Sequence, residues 1–158
     1  MSTFIACTDG SDLAERGIAT GVKLLARSGD RIVLATAVET VPTGLAAPMT
    51  QLGAQPGLPP PLPPTHEQTM IETVLAQGAE LLEATAERLD LPDAERRVLD
   101  GKPGVVLCAL VDELHADVLI IAQRGQGALR RALLGSVSSY VVHHASCPVL
   151  VVPDSTTT

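Results

Sequence analysis

Between Ala122 and Ser138 the chain reads Ala-Gln-Arg-Gly-Gln-Gly-Ala-Leu-Arg-Arg-Ala-Leu-Leu-Gly-Ser-Val-Ser, and these residue types at this spacing suit a phosphate-binding loop. Gly125 and Gly127 remove side chains where backbone must turn tightly and approach a ligand. Gly135-Ser136 sets amide groups at the start of a helical pattern, where the helix dipole favours an anion. Arg124, Arg130 and Arg131 add positive charge nearby. A second short segment, Thr8-Asp9-Gly10-Ser11, supplies a tight turn and then an N-cap; Asp9 there fits either a turn-forming or a ligand-contacting role.

These two segments need elements to hold them. Thr3 to Thr8 and Arg31 to Val38 are apolar runs that fit buried strands, with a helix between them that begins near Asp12 and should stop at Gly29. A longer helix opens at Thr65 or His66 and should end before Pro92; Arg96 to Leu99 is a third strand, nearer an edge because its neighbours are charged. Asp100-Gly-Lys-Pro turns into a helix with Pro103 in its first turn. Asp117 to Ala122 is strand four, Ser136 to Ala145 a short helix, and the segment from Cys147 to Val152 strand five. Strands alternating with helices call for an α/β sandwich, a parallel sheet covered on both faces, with ligands bound outside the carboxyl ends of the strands. The stretch 42–64 holds eight of the twelve prolines and reads as a surface loop, or as an extended ligand for a partner domain; 154–158 is a polar tail.

Composition narrows the function. A length of 158 residues with 46% hydrophobic residues supports one domain with a proper core. A formal net charge of −7 and only two aromatic residues, Phe4 and Tyr140, argue against nucleic-acid binding. No signal sequence or membrane span is legible, and Cys7, Cys108 and Cys147 lack metal or Cys-x-x-Cys spacing, so a cytoplasmic protein with buried thiols is expected. His143 and His144 are adjacent on a helix and cannot chelate one ion; contact with the helix end is the simpler role. Ser136 and Ser138 lie in no Gly-x-Ser-x-Gly elbow, and the Gly-Lys-Ser/Thr of a P-loop is absent, so the chain reads as a binder and not an enzyme, with slow incidental hydrolysis compatible. Lys102 sits where it could reach a phosphate, although solvent exposure is the default for a lysine.

Gly125, nine residues, then Gly135-Ser136, together with Leu133-Leu-Gly-Ser-Val-Ser, His143-His-Ala-Ser-Cys-Pro-Val-Leu-Val-Val and Asp9-Gly-Ser, resemble the universal stress protein family over residues 1–153 outside the proline stretch. The resemblance implies a Rossmann-like three-layer fold with a five-stranded sheet of order 3-2-1-4-5. It also implies a site for ATP, AMP or ADP, with Mg if ATP is bound, formed by Thr8, Asp9, Gly10, Ser11, Ala37, Val38, Ala122, Arg124, Gly125, Gly127, Gly135, Ser136, Val137 and Ser138. Asp9 would approach the adenine and ribose side, Ala37 would offer backbone to the adenine edge, and Gly125, Gly127, Gly135, Ser136 and Ser138 would hold ribose and phosphates. A homodimer through Val149, Leu150, Val151 and Val152, an unidentified protein partner and a regulatory role are implied too. Ala122 departs from the family pattern, which has glycine there. At positive φ this alanine would cost about 1–2 kcal/mol, at an ordinary φ little. The alternatives are a nucleotide-free scaffold acting through protein contacts and a weak ATPase or other nucleotide-using enzyme.

Overall fold

The computed structural model describes residues 1–40, 64–123 and 134–153, with the side chains of 64–67 excepted. Residues 42–63 of the proline stretch, Arg124, Gly125, Gly127, Arg130, Arg131 and the tail 154–158 lie outside the described residues. Five strands, β1 (Thr3–Cys7), β2 (Arg31–Val38), β3 (Glu95–Asp100), β4 (Val118–Ala122) and β5 (Val149–Val152), alternate with four helices, α1 (Asp12–Leu25), α2 (Pro64–Arg88), α3 (Pro103–Leu114) and α4 (Ser136–His144). All the strand pairs are parallel, and the order across the sheet is β3-β2-β1-β4-β5, as expected.

The pleat explains why the strands read as apolar runs. Successive side chains point to opposite faces, and both faces are covered. Ile5, Val33, Ala35, Leu119 and Ile121 face one way, into a core closed by Leu107, Leu110, Val111 and Val141 from α3 and α4. Phe4, Ala6, Leu34 and Ile120 face the other, into a core with Ile18 from α1 and Leu82 and Ala86 from α2. From β1 the chain winds outward through β2 to β3, then crosses back to β4 and β5. The loops that follow β1 and β4 therefore part in opposite directions from neighbouring strands.

Most boundaries fall within two residues of their expected positions. Helix α1 is the exception, stopping at Leu25 because Ala26 is already extended (ψ 144°); Gly29, with φ 91°, serves the turn into β2 and not the helix stop. Asp30 fixes that turn by accepting from the backbone N–H groups of Ser2 (2.8 Å) and Arg27 (3.0 Å), and these bonds hold its carboxyl below the usual range. Helix α2 opens at Pro64, slightly before Thr65, with proline in the position a first turn tolerates.

The two edges of the sheet differ in kind. On β3, Arg97 pairs with Glu95 and Glu113, Arg31 reaches across from β2 to Glu95, and Arg96 folds back onto the carbonyl of Pro92. On β5, Val149, Leu150 and Val151 are half-buried valine and leucine. Gln123 N–H donates to Val152 O (2.8 Å) and Leu119 N–H to Pro148 O (3.0 Å), so the amides of Val149 and Val151 turn outward, away from β4.

Candidate functional site

The loop after β1 is a self-contained turn. Gly10 has φ 80°, a conformation that favours glycine, and its N–H donates to the hydroxyl of buried Thr8 (3.0 Å). Asp9 Oδ1 accepts from both the N–H (3.1 Å) and the hydroxyl (2.6 Å) of Ser11. The same Ser11 oxygen accepts from Ala14 N–H (3.2 Å), which makes it the N-cap of α1. Asp12 and Glu15 place two more acids in the first turn, and Glu15 is bonded by Arg88 of α2. Asp9 thus combines the turn role with a carboxylate exposed to solvent.

The start of α4 is built in the opposite way. Its N-cap is Gly135, extended at φ −63° and ψ 162°, with no side chain to cap the helix and no acid in the first turn. The N–H of Gly135 donates to Gln123 O (2.9 Å), and the hydroxyl of Ser138, 2% exposed, lies 2.8 Å from that carbonyl and 3.1 Å from Gly135 O. Ser138 therefore spends its hydroxyl on clamping α4 to the end of β4. Ser136 is exposed and Val137 half-buried. The first amide to find an intrahelical acceptor is Ser139 N–H, on Gly135 O (2.8 Å), and no described residue accepts from the N–H groups of Ser136, Val137 or Ser138. Three donors and the positive end of a helix dipole are thus left at the N-terminus of α4.

Ala37 and Val38 end β2 on the other side of β1. Pairing between β1 and β2 stops at Cys7 with Ala35, whose carbonyl takes Thr8 N–H (2.9 Å). By the two-residue period of the strand, Ala37 turns its N–H and C=O to the same side as Ala35, just past the end of β1. Val38 turns toward β3, where its carbonyl takes Gly101 N–H (2.8 Å). Beyond it Thr40 binds Asp100 through its hydroxyl (2.6 Å) and its N–H (3.0 Å), which together hold the Asp100 carboxyl below the usual range.

Ala122 fits its place without strain. Positive φ at non-glycine positions occurs, among the described residues, only at Asp90 and His115, so Ala122 keeps ordinary strand geometry. Its methyl group points at α1, 3.4 Å from where a Cβ on Gly17 would stand. The missing side chain at Gly17 makes the room, and nothing in the residue sequence near Ala122 announces that.

The remaining candidates settle into structural roles. Lys102 is exposed at the N-cap of α3. His143 and His144 bond through Nδ1 to the carbonyls of Ser139 (2.7 Å) and Tyr140 (2.8 Å), and the His144 ring stacks on Tyr140. Phe4 is buried in the core, while Tyr140 is exposed on α4. Burial pushes the thiols of Cys7, Cys108 and Cys147 up, away from the reactive thiolate. Among the described residues no cluster of His, Cys, Asp and Glu could hold a metal, and no helix is long and apolar enough to cross a membrane. Gln123 was missed by sequence reasoning, since it acts through its main chain, which leaves no side-chain signal.

A family model described as "Universal stress protein family" matches residues 1–153. The "universal stress protein in QAH/OAS sulfhydrylase 3′ region" of Thermus aquaticus is 31% identical over 154 residues, covering 96% of this chain and 98% of that protein. A universal stress protein solved in complex with cAMP superposes with TM-score 0.58 at 26% identity, over 96% of this chain and 95% of the other. An Arabidopsis thaliana family protein with AMP bound gives TM-score 0.60 at 18% identity, over 99% and 94%.

Proposed function

The chain belongs to the universal stress protein family, and from that footing we propose that it binds ATP, or AMP or ADP, between the carboxyl ends of β1 and β4. In this reading it is a cytoplasmic regulatory protein that meets an unidentified protein partner according to nucleotide occupancy, and it is not an enzyme. The observation that carries it is the amide-lined start of α4, held open by Gly135 and Gln123. Neighbouring strands stand about 4.8 Å apart, so β2 and β4 are about 10 Å apart across β1, roughly the reach of a nucleoside monophosphate from base to phosphate. The base would meet the backbone of Ala37, the ribose would lie over Asp9, and the phosphates would reach the amides of Ser136, Val137 and Ser138, with Arg124, Gly125 and Gly127 nearby in sequence. Mg would enter with ATP, on its phosphates. The complexes of relatives with cAMP and AMP support the choice of adenine. Calorimetric titration with ATP and magnesium tests this: saturable heat is expected, and none at millimolar nucleotide would sink it.

The protein also pairs with itself through β5 in this reading. Val149 and Val151 offer outward amides on an apolar edge, and an uncovered edge of this kind invites another strand. Light scattering should give twice the 16.4 kDa chain mass. Val151→Pro, which removes an outward N–H and leaves pairing with β4 intact, should give the single-chain mass.

A further inference from the structure

We infer that Cys108 and Cys147 are a peroxide-oxidisable thiol pair, which closes into a disulfide between α3 and the chain leading into β5. The inference is independent of the nucleotide reading. Helix α3 descends from the carboxyl ends of the strands, whereas the chain after α4 turns upward into β5. At the foot of α3 the Ser146 hydroxyl donates to Asp112 Oδ1 and ties the two segments together. Going up from that bond, Cys108 stands one helical turn, about 5–6 Å, above Asp112, and Cys147 stands one residue, about 3 Å, beyond Ser146. Both side chains pack against the same core, on the α3 and α4 face of the sheet. Both are free thiols, and neither is fully buried. The charge on Cys108 also disfavours the thiolate at Cys147, which marks the two sulfurs as neighbours.

Cys7 shares this core but is set apart from the pair. It ends β1 inside the sheet, 7% exposed, where peroxide arrives last. In the reaction a thiolate from one half-buried cysteine displaces hydroxide from hydrogen peroxide and becomes a sulfenic acid. The other thiolate attacks that sulfur, the S–S bond forms, and hydroxide leaves and takes up a proton. Two thiols thereby lose two hydrogens, and one peroxide is reduced to two waters. Burial raises both thiols, so closure is slow at neutral pH and quickens as the pH rises and more thiolate is present. The bond would enclose residues 109–146, which include β4 and α4, and such a ring removes freedom from the unfolded chain.

The test treats the reduced protein with hydrogen peroxide at mildly alkaline pH, blocks the remaining thiols, and maps peptides without reduction. The chain should lose about 2 Da before blocking, and a peptide pair should join Cys108 to Cys147. The thermal midpoint should rise by about 5–10 °C and return on adding dithiothreitol. Cys108→Ser and Cys147→Ser should each abolish both the link and the peroxide-dependent rise. The peptide map of the unaltered chain decides the matter even if a variant folds poorly. Bonds through Cys7, bonds between chains, or oxygen added to sulfur with no link between Cys108 and Cys147 would overturn the inference.

Discussion

The N-termini of α1 and α4 stand at the same end of the sheet, over adjacent strands, and they treat an anion in opposite ways. At α1 the chain supplies its own anions, with a serine cap, a pinned aspartate before it and two acids in the first turn. At α4 a glycine occupies the cap, a main-chain carbonyl anchors it, and three amides have no described acceptor. A helix dipole exists at both ends, so it cannot be what distinguishes them; the residues at N-cap and first turn decide whether the dipole is used up internally or left for a ligand.

That contrast can be broken most directly by making α4 resemble α1. Gly135→Asp would place a carboxylate on the free amides, and the extended backbone at Gly135 accepts any side chain. Nucleotide affinity should fall about 100-fold, about 3 kcal/mol, while folding stability changes by only a few tenths of a kcal/mol. Titration with ATP alongside a thermal melt checks both, and unchanged affinity would mean that phosphate does not sit at α4.

The converse change, Ser11→Ala, opens α1 by removing its cap and the hydroxyl anchor of Asp9, while the backbone N–H anchor stays. The loss should be about 1 kcal/mol, a fall of roughly 2–4 °C in Tm. Affinity for AMP should drop by less than it does in Gly135→Asp, since the phosphate donors are untouched.

The smallest effect is expected at Ala122→Gly, which restores the family's glycine. Because Ala122 has no positive φ and packs toward Gly17, nucleotide affinity should stay within about twofold, and the strand should lose about 0.5–1 kcal/mol. A tenfold gain in affinity would show that its methyl group blocks the ligand after all.

The layers of the fold were legible because buried parallel strands leave unbroken apolar runs and Gly and Pro punctuate the turns between them. Gly135-Ser136 was legible as a helix start for the same local reasons, and the cap at Ser11 likewise. What escaped the sequence were individual contacts between segments far apart in the chain. Gln123 works through its carbonyl, Thr40 and Asp100 join across 60 positions, and Ala122 is comfortable only because Gly17 lies opposite. The early stop of α1 escaped too, since the turn after it is fixed by Asp30 reaching back to Ser2.

The charged border at β3 sets an upper limit on growth. With Arg97 bonded to Glu95 and Glu113, and Arg96 folded over the end of its own strand, a second chain finds no welcome there. A molecule with one adhesive border and one guarded border can join a twin across a two-fold axis, and the union then has no adhesive border left. The pairing through β5 proposed above would thus be self-terminating, giving a finite particle where two open borders would give a ribbon that lengthens with concentration.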